Sequence, residues 1–199
     1  MNPLALLLAD SRFPSGSYAH SLGLEQAVGD GLTDVPAFIR ARLRLVASAD
    51  ARFAVEARRG NVLEQEWCAR TPSPILRDVA RRLGSQLLRS AAMIWDVEVR
   101  RVPRPIALGV VAAAAGVSER DTALLALYDD AATVASAALK LLPLDPAQTA
   151  RWLAVLAPAL AAGAARVTAD RGPLPSPAAV ALELSAPIHL EQRERLFAS

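Results

Sequence analysis

Apolar residues recur along most of this chain at spacings of three and four, the period of an α-helix that buries one face. Clusters of glycine, proline and small polar residues interrupt the pattern at intervals and separate the periodic segments. The pattern predicts helices at about 3–10, 18–28, 36–59, 62–69, 74–97, 105–115, 118–142, 146–169 and 178–185. We therefore expect an all-α fold, a single-domain helical bundle of about eight to ten helices over residues 1–199.

Several helix boundaries carry explicit signals. Asp145, Pro146 and Gln148 have the order of an N-cap, a first-turn proline and a side chain that can bond back to the cap. Pro158 lies inside the helix that follows and predicts a kink. Gly84 lies inside another predicted helix and costs stability unless another segment packs closely there.

The predicted helix at 36–59 suggests one buried stripe and one solvated face. The apolar stripe consists of Phe38, Ile39, Leu43, Val46 and Phe53. The arginines between these positions are predicted to be solvated, namely Arg40, Arg42, Arg44 and Arg52.

Composition agrees with a helical protein and narrows its class. Hydrophobic residues make up 53% of the chain but aromatic residues only 5%, so alanine, leucine and valine dominate. The net charge is +2 and the arginines are dispersed, which does not indicate a nucleic-acid-binding protein. The single cysteine, Cys68, cannot form an internal disulfide. No uninterrupted apolar run reaches roughly 18 residues and no signal-peptide pattern is present, so we expect a cytoplasmic protein.

The segment from Leu8 to Glu25, here called the elbow, is the one stretch with a distinctive composition. Its residues 13–16, Phe-Pro-Ser-Gly, have the composition of a turn, and a helix is expected to begin shortly afterwards. One interpretation is a rigid surface corner that presents Phe13, Tyr18 and His20 to a partner. The other is a helix–loop–helix corner whose aromatic side chains belong to the core.

The sequence does not predict an active site. The two histidines have no metal-binding spacing, and His20, Asp10 and His189 could form a three-ligand site only if the fold brought the chain ends together. A Ser–His–Asp triad lacks the nucleophile motif, and no Walker loop is present. We therefore expect no catalytic residue, no cofactor and no resident metal.

The elbow, Leu-Ala-Asp-Ser-Arg-Phe-Pro-Ser-Gly-Ser-Tyr-Ala-His-Ser-Leu-Gly-Leu-Glu, resembles without a gap the N-terminal signature of the UreF family of urease accessory proteins. Further segments resemble the family more loosely: 80–89, 105–109, 134–144 and 187–199. Two positions depart from the family pattern. Arg104 stands where relatives usually have histidine, and Ala198 stands where many have arginine.

The resemblance implies a non-catalytic chaperone component that forms a homodimer and binds UreD, also called UreH. Together these proteins would recruit the GTPase UreG onto apo-urease for nickel insertion. The residues that would contact partners on this basis are Asp10, Phe13, Pro14, Gly16, Tyr18, His20, Gly23, Glu25, Lys140, His189, Gln192, Arg195, Leu196 and Phe197. A Pro-rich linker at 172–177 would lead to a tail, 187–199, that orders only when UreD binds.

Two other classes remain open on the sequence. The main alternative is an orphan α-helical scaffold or regulatory protein that binds an unrelated partner. On physical grounds Lys140, the only lysine, suits the negative end of a helix without any partner. An enzyme is the third interpretation, and it would need an activity that depends on His20.

Overall fold

The computed structural model describes residues 2–10, 12–14 and 20–176, and within these residues all regular structure is helical. The helices are α1 Pro3–Ala9, α2 Leu24–Gly29, α3 Val35–Arg42, α4 Ser48–Arg58, α5 Glu64–Ala69, α6 Pro74–Ala91, α7 Arg104–Ala114, α8 Glu119–Leu141 and α9 Pro146–Ala169. A π-turn, Leu43–Ala47, joins α3 and α4 into one continuous rod. The all-α prediction is confirmed, whereas the predicted helix at 178–185 and the tail lie outside the described residues.

Helix α4 lies at the centre of the bundle, where it packs against α7, α8 and α9. Nearly all of its residues are buried, which is unusual for a helix in a small protein. Gly109 of α7 makes the closest approach possible, because a Cβ there would collide with the carbonyl oxygen of Ala54. The chain therefore folds around α4.

Two apolar clusters surround α4 and position the elbow between them. The first joins α2, the rod, α8 and α9 through residues that include Leu24, Ile39, Val55, Leu127 and Leu160. The second joins α1, α5, α6 and α7 through residues that include Ala5, Phe53, Leu87, Ile106 and Val111. The elbow contributes Phe13 to the second cluster and Leu24 to the first. The core thus anchors both the first and the second part of the elbow.

The predicted helix signals are confirmed where they were strongest. Asp145 and Gln148 form a complete capping box at the start of α9. Gly84 packs directly against the backbone of Val102, so the close approach expected there is present. Helix α9 runs through Pro158 as one helix, and the kink stays a prediction.

Two predicted helix boundaries are wrong. Helix α6 ends at Ala91 rather than near residue 97, and the chain leaves the helix so that Trp95 reaches the ring of Phe13. Helix α2 begins at Leu24, although a helix was expected from residue 18. The helix begins later because the backbone of Leu22 and Gly23 has φ of 53° and 85°, and these residues cannot belong to a right-handed helix.

The prediction that Arg42 and Arg52 are solvated is also wrong, because the two residues are only 6% and 5% exposed. The error comes from contacts with distant segments, because Arg42 pairs with Asp130 on α8 and Arg52 donates to the carbonyl oxygen of Gly172. The π-turn affects the apolar stripe. In a regular α-helix, each residue is rotated by about 40° around the helix axis relative to the residue four positions earlier. A stripe of apolar residues spaced by four therefore turns gradually away from the core. The extra residue of the π-turn resets this drift, and the inward series becomes Val35, Ile39, Ala47, Ala51 and Val55.

Helix α9 is long and apolar enough to cross a membrane by length and composition, and 28% of its apolar window is buried. The sequence criterion of an uninterrupted apolar run did not detect it, because Gln148, Thr149 and Arg151 lie within its first two turns. Core helices of water-soluble proteins pass the same test, so this property alone does not place α9 in a membrane.

Candidate functional site

The first part of the elbow forms a tight, self-bonded turn. The backbone N–H of Arg12 donates to Asp10 Oδ1 at 2.8 Å, and Arg12 Nη2 lies 2.6 Å from Asp10 Oδ2. These hydrogen bonds, from the Arg12 side chain first and its backbone second, lower the pKa of Asp10 to about 2. The backbone N–H of Phe13 donates to the carbonyl oxygen of Asp10 at 2.9 Å and closes the turn. Asp10 thus organises a turn at residues 10–13. The turn predicted at 13–16 extends beyond the described residues and stays a prediction.

Phe13 is not displayed to solvent. Only 5% of it is exposed, and its ring centroid lies 6.3 Å from that of Trp95 in a tilted arrangement. The interpretation in which this aromatic side chain belongs to the core therefore applies to Phe13. Pro14 is exposed, and its carbonyl oxygen accepts a hydrogen bond of 2.8 Å from Ser90 Oγ on α6.

A groove of about 570 Å³ lies between α1, this turn and the end of α6. The elbow groove, as we call it, is lined by Leu7, Asp10, Arg12, Phe13, Pro14, Arg89, Ser90, Met93 and Ile94. Its floor is apolar, and Met93 and Ile94 at its rim are 87% and 55% exposed. Exposed apolar side chains beside an apolar groove form a contiguous surface of the kind that can bind a partner.

A buried ion pair holds the second part of the elbow. Arg42 donates to Asp130 on α8 at 3.1 and 2.6 Å and to the carbonyl oxygen of Leu22 at 2.9 Å. The side chains of Arg42 and Asp130 are 7% and 11% exposed, so the pair is largely desolvated. We call these three residues the Arg42 bracket. It fixes the left-handed turn from which α2 starts, and sequence reasoning missed it because Arg42 was assigned to the solvated face.

A second carboxyl group lies close to the bracket. Asp50 Oδ1 accepts a hydrogen bond of 2.8 Å from the indole N–H of Trp67. Although part of the Asp50 residue reaches solvent, its carboxyl group is enclosed. This burial raises the pKa of Asp50 to about 6, and the charge of Asp130 acts in the same direction.

His20 lies half-buried beside two arginines. Burial first, and then the charges of Arg104 and Arg82, lower the pKa of His20 to about 4, so its imidazole is neutral at physiological pH. Arg104 in turn pairs with Asp129 through distances of 3.1 and 2.8 Å. The residue that departs from the family pattern is therefore a cation held next to His20, which disfavours a metal ion at this position.

A metal site from the proposed trio is not assembled among the described residues. The carboxylate of Asp10 is bound by Arg12, and His189 lies outside the part of the chain that the structure describes. Within residues 2–10, 12–14 and 20–176, no group of three or more His, Cys, Asp or Glu side chains could hold a metal ion.

The remaining predicted residues divide into three sets. Gly23 is the N-cap residue of α2, and Glu25 lies in its first turn, where an acidic side chain suits the helix dipole. Lys140 is exposed in the last turn of α8, about 15 Å along that helix from Asp130. The residues outside the described part of the chain are Gly16, Tyr18, His189, Gln192, Arg195, Leu196 and Phe197. The structure thus places Asp10, Phe13 and Pro14 together at the groove and Lys140 on a separate helix end.

Comparison with known proteins identifies the same family as the resemblance of the elbow. The model of the UreF family matches residues 31–157. The urease accessory protein UreF of Mycobacterium marinum is 35% identical over 214 aligned positions, which cover all of both chains. That of Mycolicibacterium vanbaalenii is 34% identical, covering 98% of this chain and 97% of the relative. That of Mycobacterium tuberculosis is 36% identical over 74% of this chain and 77% of its own.

Proposed function

This chain belongs to the UreF family, and we propose that it is a non-catalytic chaperone component required for nickel insertion into apo-urease. The observation that carries the proposal is the match to a urease accessory protein along the full length of both chains. A sequence match that covers the whole of both chains supports a shared role more strongly than a shared motif does.

In this role the protein acts by binding rather than by chemistry. It bridges UreD, also called UreH, and the GTPase UreG as a homodimer in the cytoplasm, and nickel is the cargo of the assembly. The charged groups near the elbow favour a binding role over a catalytic one, because they pair with one another. Asp10 is bound by Arg12 and Arg104 by Asp129, while the neutral His20 has a pKa too low for proton transfer near pH 7.

The described parts of the elbow, residues 8–10, 12–14 and 20–25, are suited to such binding because contacts within the chain hold them in place. The Asp10 turn, the hydrogen bond from Ser90 to Pro14 and the Arg42 bracket each hold a different part of it. A preformed surface binds with a smaller loss of conformational entropy than a flexible one. Elbow, Lys140 and tail then form separate contact regions, and tail ordering on UreD makes UreG recruitment conditional on assembly.

Co-purification with the cognate UreD and UreG, followed by light scattering, tests the proposal. We expect a stable complex that contains two copies of each protein. A monomer that binds neither partner would contradict the proposal and favour a scaffold for an unrelated partner.

Truncation tests the role of the tail within this function. Removal of residues 191–199 should abolish the UreD complex and leave the helical circular dichroism spectrum unchanged. Full UreD affinity in the truncated protein would contradict a role for the tail, although the other contact regions could still stand.

A further inference from the structure

The elbow groove has an apolar floor, and the polar groups on that floor are already engaged within the chain. Ser90 Oγ already donates to Pro14 at 2.8 Å, and the carboxylate of Asp10 is occupied by Arg12 at 2.6 Å. The apolar surface comes instead from Leu7, Phe13 and Ile94. A groove of this kind gains affinity by burying a large apolar side chain, rather than by hydrogen-bonding a small metabolite.

The rim of the groove carries an excess of positive charge. Asp10 and Arg12 neutralise each other, whereas Arg89 is exposed and has no ion-pair partner among the described residues. Arg89 lies in the last turn of α6, four residues before Met93, and both residues line the groove. The occupant that complements this rim has carboxylates beside its apolar side chain.

From these two features we propose that the elbow groove binds a segment of a partner protein in which a large apolar side chain is flanked by acidic residues. The inference rests on the proposed function, since the partner belongs to the assembly described above. A second copy of this chain is the competing occupant, because its exposed Val99 is next to Glu98, whose pair with Arg100 at 2.7 Å lies on the surface. The crosslinking experiment below distinguishes the two occupants.

The rigid floor explains why the groove would be specific. Phe13 is held between the core and Trp95, and Pro14 is held by Ser90, so the depth of the groove does not depend on the occupant. Met93, which is 87% exposed and flexible, can adjust to the shape of the entering side chain. A fixed floor with an adaptable rim suits an anchor residue whose neighbours are less constrained.

Photo-crosslinking in the purified complex identifies the occupant directly. The full chain carries p-benzoylphenylalanine in place of Met93, the complex with UreD and UreG is irradiated, and mass spectrometry identifies the captured peptide. We expect a peptide from a partner protein with a large apolar residue next to Asp or Glu. Capture of residues 187–199 of the same chain, of a second copy, or of nothing would overturn the inference.

Substitutions provide the energetic test. We expect Met93→Glu and Ile94→Glu to weaken partner binding by at least about 30-fold, and Arg89→Ala by about 3- to 10-fold with a smaller salt dependence. Val155→Glu is the matched control, because it places the same charge at a residue of similar exposure on α9, and it should change affinity by less than about twofold.

The outcomes separate the two proposals. Wild-type affinity in both glutamate variants, within a complex that forms normally, would overturn the role of the groove and leave the proposed function intact. Failure of the wild-type chain to form any complex would contradict the proposed function, and the inference with it. Circular dichroism of each variant excludes unfolding as the cause of lost binding.

Discussion

Two surfaces of this protein are apolar, and they differ in the size of the side chains that make them so. The rim of the elbow groove exposes Met93 and Ile94, while α9 exposes mainly alanine, with Val155 its one large apolar side chain at high exposure. An exposed alanine costs little, because it is the strongest helix former and presents one methyl group. Exposed leucine, isoleucine and methionine side chains leave much more apolar area in water.

The comparison teaches that mean hydropathy and binding potential are separate properties. Helix α9 passes a hydropathy test for membrane spans, although its outer face is explained by helix propensity alone. The elbow groove passes no such test, yet it combines large exposed side chains with an apolar floor and Arg89, which has no ion-pair partner among the described residues. The groove is therefore the surface that we propose as the partner site.

The largest expected effect comes from the residue that holds the elbow. Arg42→Ala should lower the free energy of unfolding by about 3–5 kcal/mol, because it leaves the buried carboxylate of Asp130 without its partner. Urea denaturation measures the loss. Arg151→Ala on the exposed face of α9 is the control and should change stability by less than about 0.5 kcal/mol. Equal losses of stability in the two variants would show that the bracket stabilises the protein no more than an exposed arginine does.

The floor of the groove gives the next effect. Phe13→Ala removes a ring that is 5% exposed and packed against Trp95, and we expect a loss of about 3 kcal/mol from the resulting cavity. Partner binding should fall as well, even at temperatures where the variant is fully folded. Thermal unfolding and binding assays together check this. A variant that is destabilised but binds normally would separate the floor from the partner site.

The surroundings of the Arg42 bracket and helix α9 also differ in how their stability depends on pH. The pKa of Asp50, next to the bracket, is about 6 when folded and 3.8 as its reference value, so folding favours its protonated form. The contribution of Asp50 to the free energy of unfolding is therefore most favourable below pH 4. It falls by about 3 kcal/mol as the pH rises through 6. Asp50→Asn should therefore stabilise the protein at pH 7.5 and matter little at pH 4. Residues 146–169 contain no Asp, Glu or His and provide no such dependence.

Glu56 provides the control of opposite sign. Its burial acts to raise the pKa, but hydrogen bonds from Asn61 and Arg59 and the charge of Arg52 together lower it. The stability that Glu56 contributes is thus present above pH 4.5, its reference pKa, and is lost as the pH falls. Urea denaturation from pH 8 down to well below 4.5, the reference pKa of Glu56, should give pH slopes that change in opposite directions for Asp50→Asn and Glu56→Gln. Slopes that change in the same direction would contradict the assigned environments.

The smallest effect is expected on α9. The double substitution Val155→Gln and Ala162→Gln replaces two exposed apolar residues by polar ones and should change stability by less than about 0.5 kcal/mol. Partner binding should not change either. A large loss of binding in this variant would show that α9, despite its small side chains, is a contact surface.

The sequence predicted the helices best where their ends are determined locally. Asp145 and Gln148 cap α9 through neighbouring backbone groups, so the start of that helix could be read without knowing the fold. The position of the elbow could be predicted for the same reason, because Asp10 bonds to residues two and three positions away.

The rest depended on contacts between distant segments. Nothing local shows that Arg42 faces inward, because the π-turn and Asp130 on α8 determine its environment. The groove depends on Trp95 reaching Phe13 from 82 positions away, which ends α6 early and exposes Met93 and Ile94. Helical periodicity continued through these residues and therefore predicted a longer helix.

Hydrogen–deuterium exchange of the free chain and of the purified complex tests the central claim most directly, since it compares both surfaces in one experiment. The account predicts that partner binding slows exchange in residues 7–14 and 89–95, and leaves residues 150–166 of α9 unchanged. Slower exchange confined to α9, with residues 7–14 and 89–95 unaffected, would contradict it.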